Sequence, residues 1–97
     1  MIYAIDFDGT LCTNNYPDIG EPIEVAINFV KALKEQGEEL ILWTCRSGEL
    51  LDRAVEWCDK HGLKFDKINE NLDWTIKKFG GDTRKIFADF YYDDKNI

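Results

Sequence analysis

The chain has 97 residues and a formal net charge of -7, with 44% hydrophobic, 13% aromatic and 32% charged residues. This length supports one hydrophobic core, so we expect a single domain over residues 1–97 with any functional site on the core fold itself. The apolar content excludes a disordered segment, and the acidic balance argues against a surface that binds DNA or RNA through clustered Lys and Arg. A small anionic ligand is compatible with this charge if a metal ion supplies positive charge.

Cysteine usage and the amino-terminal sequence predict a cytoplasmic protein. Cys12, Cys45 and Cys58 form neither a CxxC pair nor an even disulfide framework, so we expect three reduced thiols packed as small hydrophobic side chains. No basic segment precedes the first apolar run, and no apolar run approaches the ~18 residues of a membrane span.

The first half of the sequence predicts a strand, a loop and a helix. The apolar run 2–5 fits a strand that is buried on both faces, and Asp6 follows it. Residues 12–20 are rich in Asn, Asp, Pro and Gly and predict a loop. Pro22 suits the first turn of a helix that ends at Gly37, with apolar residues at helical spacing.

The second half repeats the alternation of strand and helix. Residues 40–43 predict a second strand, and Ser47 is a candidate cap for a helix that ends near Gly62. Residues 64–68 are a weaker strand candidate, followed by a short helix with Leu72, Ile76 and Phe79 on its apolar face. A last strand lies within residues 86–92. The alternation predicts an α/β fold with a mostly parallel sheet of about four strands flanked by helices.

Polar residues follow the apolar strands at the end where such sheets bind ligands. The residues concerned are Asp6, Asp8, Thr44, Asp93 and Asp94. The segment Asp6-Phe7-Asp8-Gly9-Thr10 carries the strongest signal, because Gly9 permits a turn that brings two carboxylates around one centre. An acidic turn with a capping Asp is the structural alternative.

These residues resemble the haloacid dehalogenase-like superfamily of hydrolases. Asp6, Asp8 and Thr10 match its first motif, DxDx(T/V), position by position. Thr44 matches the second motif, a Thr or Ser that ends the next strand, and Asp93-Asp94 resembles the acidic pair of the last motif. The third motif is a Lys or Arg upstream of that pair. We assign it to Lys85, with Lys77 and Lys78 as alternatives.

The resemblance implies a Rossmann-like, three-layer domain without a cap. Most members carry a cap domain after the first or second motif, where this chain has only the loop 12–20 and a short segment after Thr44. An uncapped site leaves specificity to the loop 12–20, to Tyr16, Arg46 and Asn69, or to a partner subunit in a homo-oligomer. We expect a small phosphorylated substrate, with a larger one permitted by the open site, and neither a membrane nor a nucleic acid as partner.

The resemblance also implies a Mg²⁺ ion bound by the site. Its expected ligands are the Asp6 carboxylate, the Asp8 backbone carbonyl and one carboxylate of Asp93 and Asp94. A phosphate monoester repels a carboxylate nucleophile, and a hard cation held by oxygen ligands offsets that repulsion.

The implied reaction is the hydrolysis of a phosphate monoester. Asp6 attacks phosphorus and forms an aspartyl-phosphate, and Asp8 acts as general acid and base, a role that favours a raised pKa among other carboxylates. Thr44 and Lys85 bind phosphoryl oxygens, while Thr10 orders the turn.

Two functions without turnover remain as alternatives. A receiver-type signalling module also uses a phospho-accepting Asp with Mg²⁺, but it places its acidic pair after the first strand and its phospho-accepting Asp on a later one. A phosphate-binding regulatory protein would not need Asp8. A thiol phosphatase based on Cys12 or Cys45 lacks the Cys-x5-Arg loop that would bind phosphate.

Overall fold

Parallel strands alternate with helices in a computed structural model that describes residues 1–70, 72 and 88–93. In chain order, the elements are β1 (Ile2–Ile5), α1 (Glu24–Glu35), β2 (Glu39–Leu42), α2 (Gly48–Lys60), β3 (Lys67–Ile68) and β4 (Phe90–Tyr92). The four strands form one sheet in the order β3-β2-β1-β4, and every neighbouring pair is parallel. The predicted α/β class and its sheet of about four strands are confirmed.

The first strand lies in the middle of the sheet, between β2 and β4. Ile5, its last residue, pairs with Leu42 on one side and Tyr92 on the other. Parallel strands run in the same direction, so the residues that follow Ile5, Leu42 and Tyr92 emerge at one edge.

Both described helices contribute to one apolar cluster. The buried residues of α1 recur at helical spacing and are Ala26, Ile27, Val30 and Leu33. α2 adds Ala54 and Cys58, and the strands add Ile5, Leu40 and Leu42. Burying one side chain the size of Ile27 stabilises the fold by about 1.5–3 kcal/mol relative to leaving it in water.

The opposite side of the sheet has its own buried residues. Ile2, Ala4 and Ile41 form a second cluster with Leu72. Alternation along β1 and β2 explains the two clusters, because successive side chains of a strand point to opposite faces. The predicted helix with Ile76 and Phe79 lies outside the described residues.

Several predicted boundaries differ from the structure. Pro22 precedes α1 by two residues and forms an isolated antiparallel bridge with Cys12. It therefore closes the loop 12–20 and does not belong to the helix. β3 covers only Lys67–Ile68 of the predicted 64–68 segment. Ser47 occupies the N-cap position of α2 as predicted, but its side chain makes no capping hydrogen bond.

Asp66 ties the start of β3 to β2 and α1. Its carboxylate accepts hydrogen bonds from the Leu40 backbone N–H at 2.7 Å and from Lys34 Nζ at 3.0 Å. Partial burial acts to raise the pKa of Asp66, but the Leu40 N–H and the Lys34 ammonium outweigh it, so the pKa lies below its ordinary value. The ionised side chain therefore stabilises the fold.

No helix in the described ranges is long and apolar enough to cross a membrane.

Replacement of Asp66 tests this tie between elements. Asp66→Ala leaves the buried Leu40 N–H without its acceptor and should destabilise the protein by about 1–2 kcal/mol at pH 7. Solvent screening keeps this figure modest, because the Asp66 side chain is 35% exposed. The stabilisation of the fold by ionised Asp66 is fully present above the unfolded-state pKa of ~3.9. It is lost as the pH falls through the lower pKa of Asp66 in the folded state.

Urea unfolding at pH 7 and pH 3 measures both effects. The difference between wild type and Asp66→Ala should shrink at pH 3. Asp59 serves as the control, because its ion pair with Lys64 is exposed on both sides, and Asp59→Ala should leave stability within error of wild type. Equal stability of Asp66→Ala and wild type at pH 7 would show that this carboxylate does not support the sheet.

Candidate active site at the carboxyl edge of the sheet

The turn after β1 is built as the sequence predicts. The Phe7 N–H donates to Asp6 Oδ1 at 2.8 Å, which fixes the orientation of that carboxylate. Gly9 has φ 85°, a conformation that favours glycine, and its N–H donates to the Cys12 carbonyl at 2.9 Å. Thr10 orders the turn through its backbone N–H, which donates to the Phe7 carbonyl, whereas its buried hydroxyl has no hydrogen-bond partner among the described residues.

The ends of three neighbouring strands enclose one small pocket. Its volume is about 180 Å³, and its lining residues are Asp6, Trp43, Thr44, Cys45 and Asp93. The backbone ladder continues to its edge, since the Asp6 N–H donates to the Tyr92 carbonyl at 2.9 Å and the Trp43 N–H donates to the Ile5 carbonyl at 2.8 Å. The structure therefore brings together Asp6, Thr44 and Asp93, which come from separate parts of the sequence.

Asn69 supports the segment that carries Thr44. The Thr44 N–H donates to Asn69 Oδ1 at 2.8 Å, and Asn69 Nδ2 donates to the Arg46 carbonyl at 3.5 Å. Asn69 has φ 53°, which Asn tolerates better than most residues. The Thr44 hydroxyl accepts a hydrogen bond from the Arg46 N–H at 3.2 Å and keeps its own proton for donation.

Asp8 is paired with an arginine. Arg46 Nε donates to Asp8 Oδ2 at 2.9 Å and Arg46 Nη2 donates to Asp8 Oδ1 at 2.8 Å, a bidentate ion pair. The expectation of carboxylate neighbours did not include this cation. The hydrogen bonds with Asp8 raise the pKa of Arg46 above its ordinary value and keep the guanidinium charged.

Arg46 also holds the loop that follows the first motif. Its guanidinium donates to the Pro17 carbonyl at 3.2 Å and to the Asp18 carbonyl at 2.9 Å. The rings of Phe7 and Tyr16 lie 5.1 and 5.2 Å from its central carbon, within cation–π range. Arg46 is only 1% exposed, so any effect on specificity would act through the groups that it holds.

The three thiols divide into two kinds. Cys12 and Cys58 are buried, as predicted, and burial raises the pKa of both, that of Cys58 to about 12. Such thiols stay protonated and unreactive at neutral pH. Cys45 departs from the prediction, because it is exposed and lines the pocket beside Asp6.

Part of the predicted site lies outside the described residues. This applies to Asp94, to Lys85 and to the alternatives Lys77 and Lys78. Within 1–70, 72 and 88–93, no group of three or more His, Cys, Asp and Glu side chains is placed to hold a metal ion. The two carboxylates that line the pocket, Asp6 and Asp93, nevertheless offer oxygen ligands. Mg²⁺ is commonly bound by one or two carboxylates with water completing its shell, so this set fits it.

The sequence reasoning missed the roles of Arg46 and Asn69. Both act through contacts with residues 23 or more positions away, and neither belongs to a recurring spacing. A sequence signal for Arg46 was its position two residues after Thr44, close to the end of a buried strand. A charged side chain that is buried there requires a partner of opposite charge.

Comparison with known proteins identifies a structural relative. No protein-family model and no curated protein matches the chain. A solved structure of a conserved protein coded by a locus from Bacteroides thetaiotaomicron matches it with 43% sequence identity and a TM-score of 0.87. The match covers 100% of this chain and 78% of that chain. At this identity and coverage, the chain belongs to the same protein family as that conserved Bacteroides thetaiotaomicron protein.

Proposed function

We propose that the chain is a Mg²⁺-dependent phosphohydrolase that cleaves phosphate monoesters through an aspartyl-phosphate on Asp6. The observation that carries the proposal is the pocket at the carboxyl edge of the sheet, where Asp6, which follows β1, meets Thr44 and Asp93, which follow the neighbouring strands β2 and β4. The resemblance of these positions to three motifs of the haloacid dehalogenase-like hydrolases supports it, as does their order along the chain.

The charge of the pocket supports the requirement for a cation. Among its described lining residues two are carboxylates and none is basic, and the nearby Arg46 is already paired with Asp8. A phosphate dianion would enter such a site only against strong repulsion. Asp6, the Asp8 carbonyl and one of Asp93 and Asp94 would hold Mg²⁺, which neutralises phosphate charge when bound.

The remaining steps belong to side chains of the chain itself. Asp6 attacks phosphorus in line, the bond to the leaving oxygen breaks, and Asp8 gives that oxygen a proton. Water then attacks the aspartyl-phosphate, with Asp8 taking its proton. Arg46 uses one acceptor site on each Asp8 oxygen, and a carboxylate has about four, so sites remain for the transferred proton.

The phosphoryl oxygens need hydrogen-bond donors whose interactions strengthen as negative charge develops in the transition state. Thr44 lines the pocket, and its hydroxyl is the proposed first donor, with Lys85 as the second. The proposed substrate is a small phosphate monoester, and the three free thiols fit the reducing cytoplasm.

A receiver-type module is less well supported by the topology. Here the DxD segment follows β1, which lies between β2 and β4, and Asp93 follows the last described strand. A receiver has the reverse arrangement, with the acidic pair first and the phospho-accepting Asp later. Repeated release of phosphate would distinguish an enzyme from such a switch.

Metal dependence is the first expected property. Activity on an aryl phosphate should be abolished by a chelator and restored by Mg²⁺, because two carboxylates face the position that an anion must occupy. Ca²⁺ should restore it poorly, since its larger and more flexible coordination misplaces the nucleophile. A colorimetric assay in excess chelator decides this, and undiminished turnover there would rule out the metal.

Loss of the proposed nucleophile gives the second expected property. Asp6→Asn preserves shape and removes the attacking charge, so turnover should fall to below about one part in a hundred of wild type. Circular dichroism should show an unchanged fold. Asp52→Asn, an exposed change on α2, is the matched control and should retain full activity. Substantial phosphate release by Asp6→Asn would point to a different nucleophile.

The third expected property concerns the leaving group. A nitrophenolate with a conjugate-acid pKa of ~7 leaves unprotonated, whereas an alkoxide with a pKa near ~15 needs a proton. Asp8→Asn should therefore lower kcat/KM much more for an alkyl phosphate than for an aryl phosphate. With the aryl ester it should also show a burst of phenolate, because water activation in the second step is lost.

Rapid-quench kinetics on both esters measures the two steps separately. Equal slowing of phosphoenzyme formation for both, without an accumulated intermediate, would assign Asp8 a purely structural role.

A further inference from the structure

The Arg46 guanidinium joins two parts of the site that differ in sequence and in role. On one side it holds both oxygens of Asp8, the proposed acid and base. On the other it binds the backbone carbonyls of Pro17 and Asp18, which lie in the middle of the loop 12–20. One buried group therefore fixes a carboxylate and a loop together.

The contacts of Arg46 use the full donor capacity of its side chain. The guanidinium has five N–H donors, and five acceptors lie within 3.5 Å of its nitrogens, the fifth being the Leu50 carbonyl. A lysine has three donors on one nitrogen and cannot span these positions. The requirement here is for a planar, multidentate cation and not merely for positive charge.

The loop that Arg46 holds carries an exposed aromatic side chain. Tyr16 places one face of its ring over the guanidinium and remains 56% exposed. The base of the loop is closed by two further hydrogen bonds, from the Thr13 N–H to the Glu21 carbonyl at 2.8 Å and from the Glu21 N–H to Thr13 Oγ1 at 2.9 Å. The middle of the loop thus depends on Arg46, whereas its base is self-supporting.

We propose that Arg46 is a positioning residue that sets the Asp8 carboxylate for proton transfer and holds the middle of the loop 12–20 fixed relative to Asp8. The part that concerns proton transfer rests on the proposed phosphohydrolase function. The part that concerns the loop does not, because it follows from the contacts alone. Arg46 itself touches no substrate, since it is buried.

Arg46→Lys tests the first part by keeping the charge and removing the bidentate geometry. We expect kcat/KM for an alkyl phosphate to fall about a hundredfold and that for an aryl phosphate to fall less than about tenfold, because a misplaced Asp8 matters most where the leaving oxygen needs a proton. Arg53→Lys is the matched control. Arg53 lies on α2 near Asp18 but is exposed and 4.0 Å from its carboxylate, so this variant should behave as wild type.

A double variant distinguishes the loss of Asp8 positioning from a general loss of activity. Combined with Asp8→Asn, Arg46→Lys should leave the alkyl-to-aryl ratio where Asp8→Asn alone puts it. Equal loss on both esters in Arg46→Lys, or a further change of the ratio in the double variant, would overturn the link between Arg46 and Asp8.

Backbone ¹⁵N NMR relaxation tests the second part without any activity. The wild-type loop should have order parameters near the ~0.85 of rigid backbone, and Arg46→Lys should lower those of Asn15, Tyr16 and Asp18 below about 0.6, with α1 unchanged. Unchanged order parameters in the loop would overturn the inference. If wild type releases no phosphate from any ester with Mg²⁺, the proposed function fails, and the relaxation result still decides whether Arg46 fixes the loop.

Tyr16→Leu provides the same measurement if Arg46→Lys does not fold. The Tyr16 ring is largely exposed, so its loss should leave the core intact while removing one contact of the guanidinium. Order parameters in the middle of the loop should then fall below the wild-type values. Unchanged values in this folded variant would count against a loop held fixed by Arg46.

Discussion

Parallel pairing of β1 with both β2 and β4 is the constraint on which the site depends. The pairs Ile5 with Leu42 and Ile5 with Tyr92 set the three strands to the same level. The residues that follow then emerge together, so Asp6 lies between the segment containing Thr44 and Asp93. A shift of one residue in either pairing would turn the buried side chains of that strand toward the wrong face, so core burial fixes the geometry of the site.

Electrostatics then divides the polar groups of this edge into two sets. Asp8 and Arg46 satisfy each other in a largely buried pair, which is costly to form but worse to break on one side only. Asp6 and Asp93 line the pocket together with Thr44, and none of the described lining residues is basic. Under the proposed function, a bound Mg²⁺ would offset the repulsion between these carboxylates and an anionic substrate.

Local features of the site were predictable from the sequence, and long-range ones were not. The turn at Gly9 and the positions of Asp6 and Thr44 after apolar runs depend on residues close together in the chain, so pattern and spacing were sufficient. The bond from Arg46 to Asp8 spans 38 positions and depends on how the loop packs over the sheet, which no local pattern encodes. The exposure of Cys45 was missed for the same reason, because the pocket exists only after three strands have paired.

Borohydride trapping during turnover tests most directly whether Asp6 carries the phosphoryl group. Borohydride reduces an acyl phosphate to an alcohol, so peptide mapping by mass spectrometry should find homoserine at position 6 in protein quenched with Mg²⁺ and substrate, and none without substrate. Steady phosphate release with an unmodified Asp6, or homoserine at position 93 in place of position 6, would contradict this assignment.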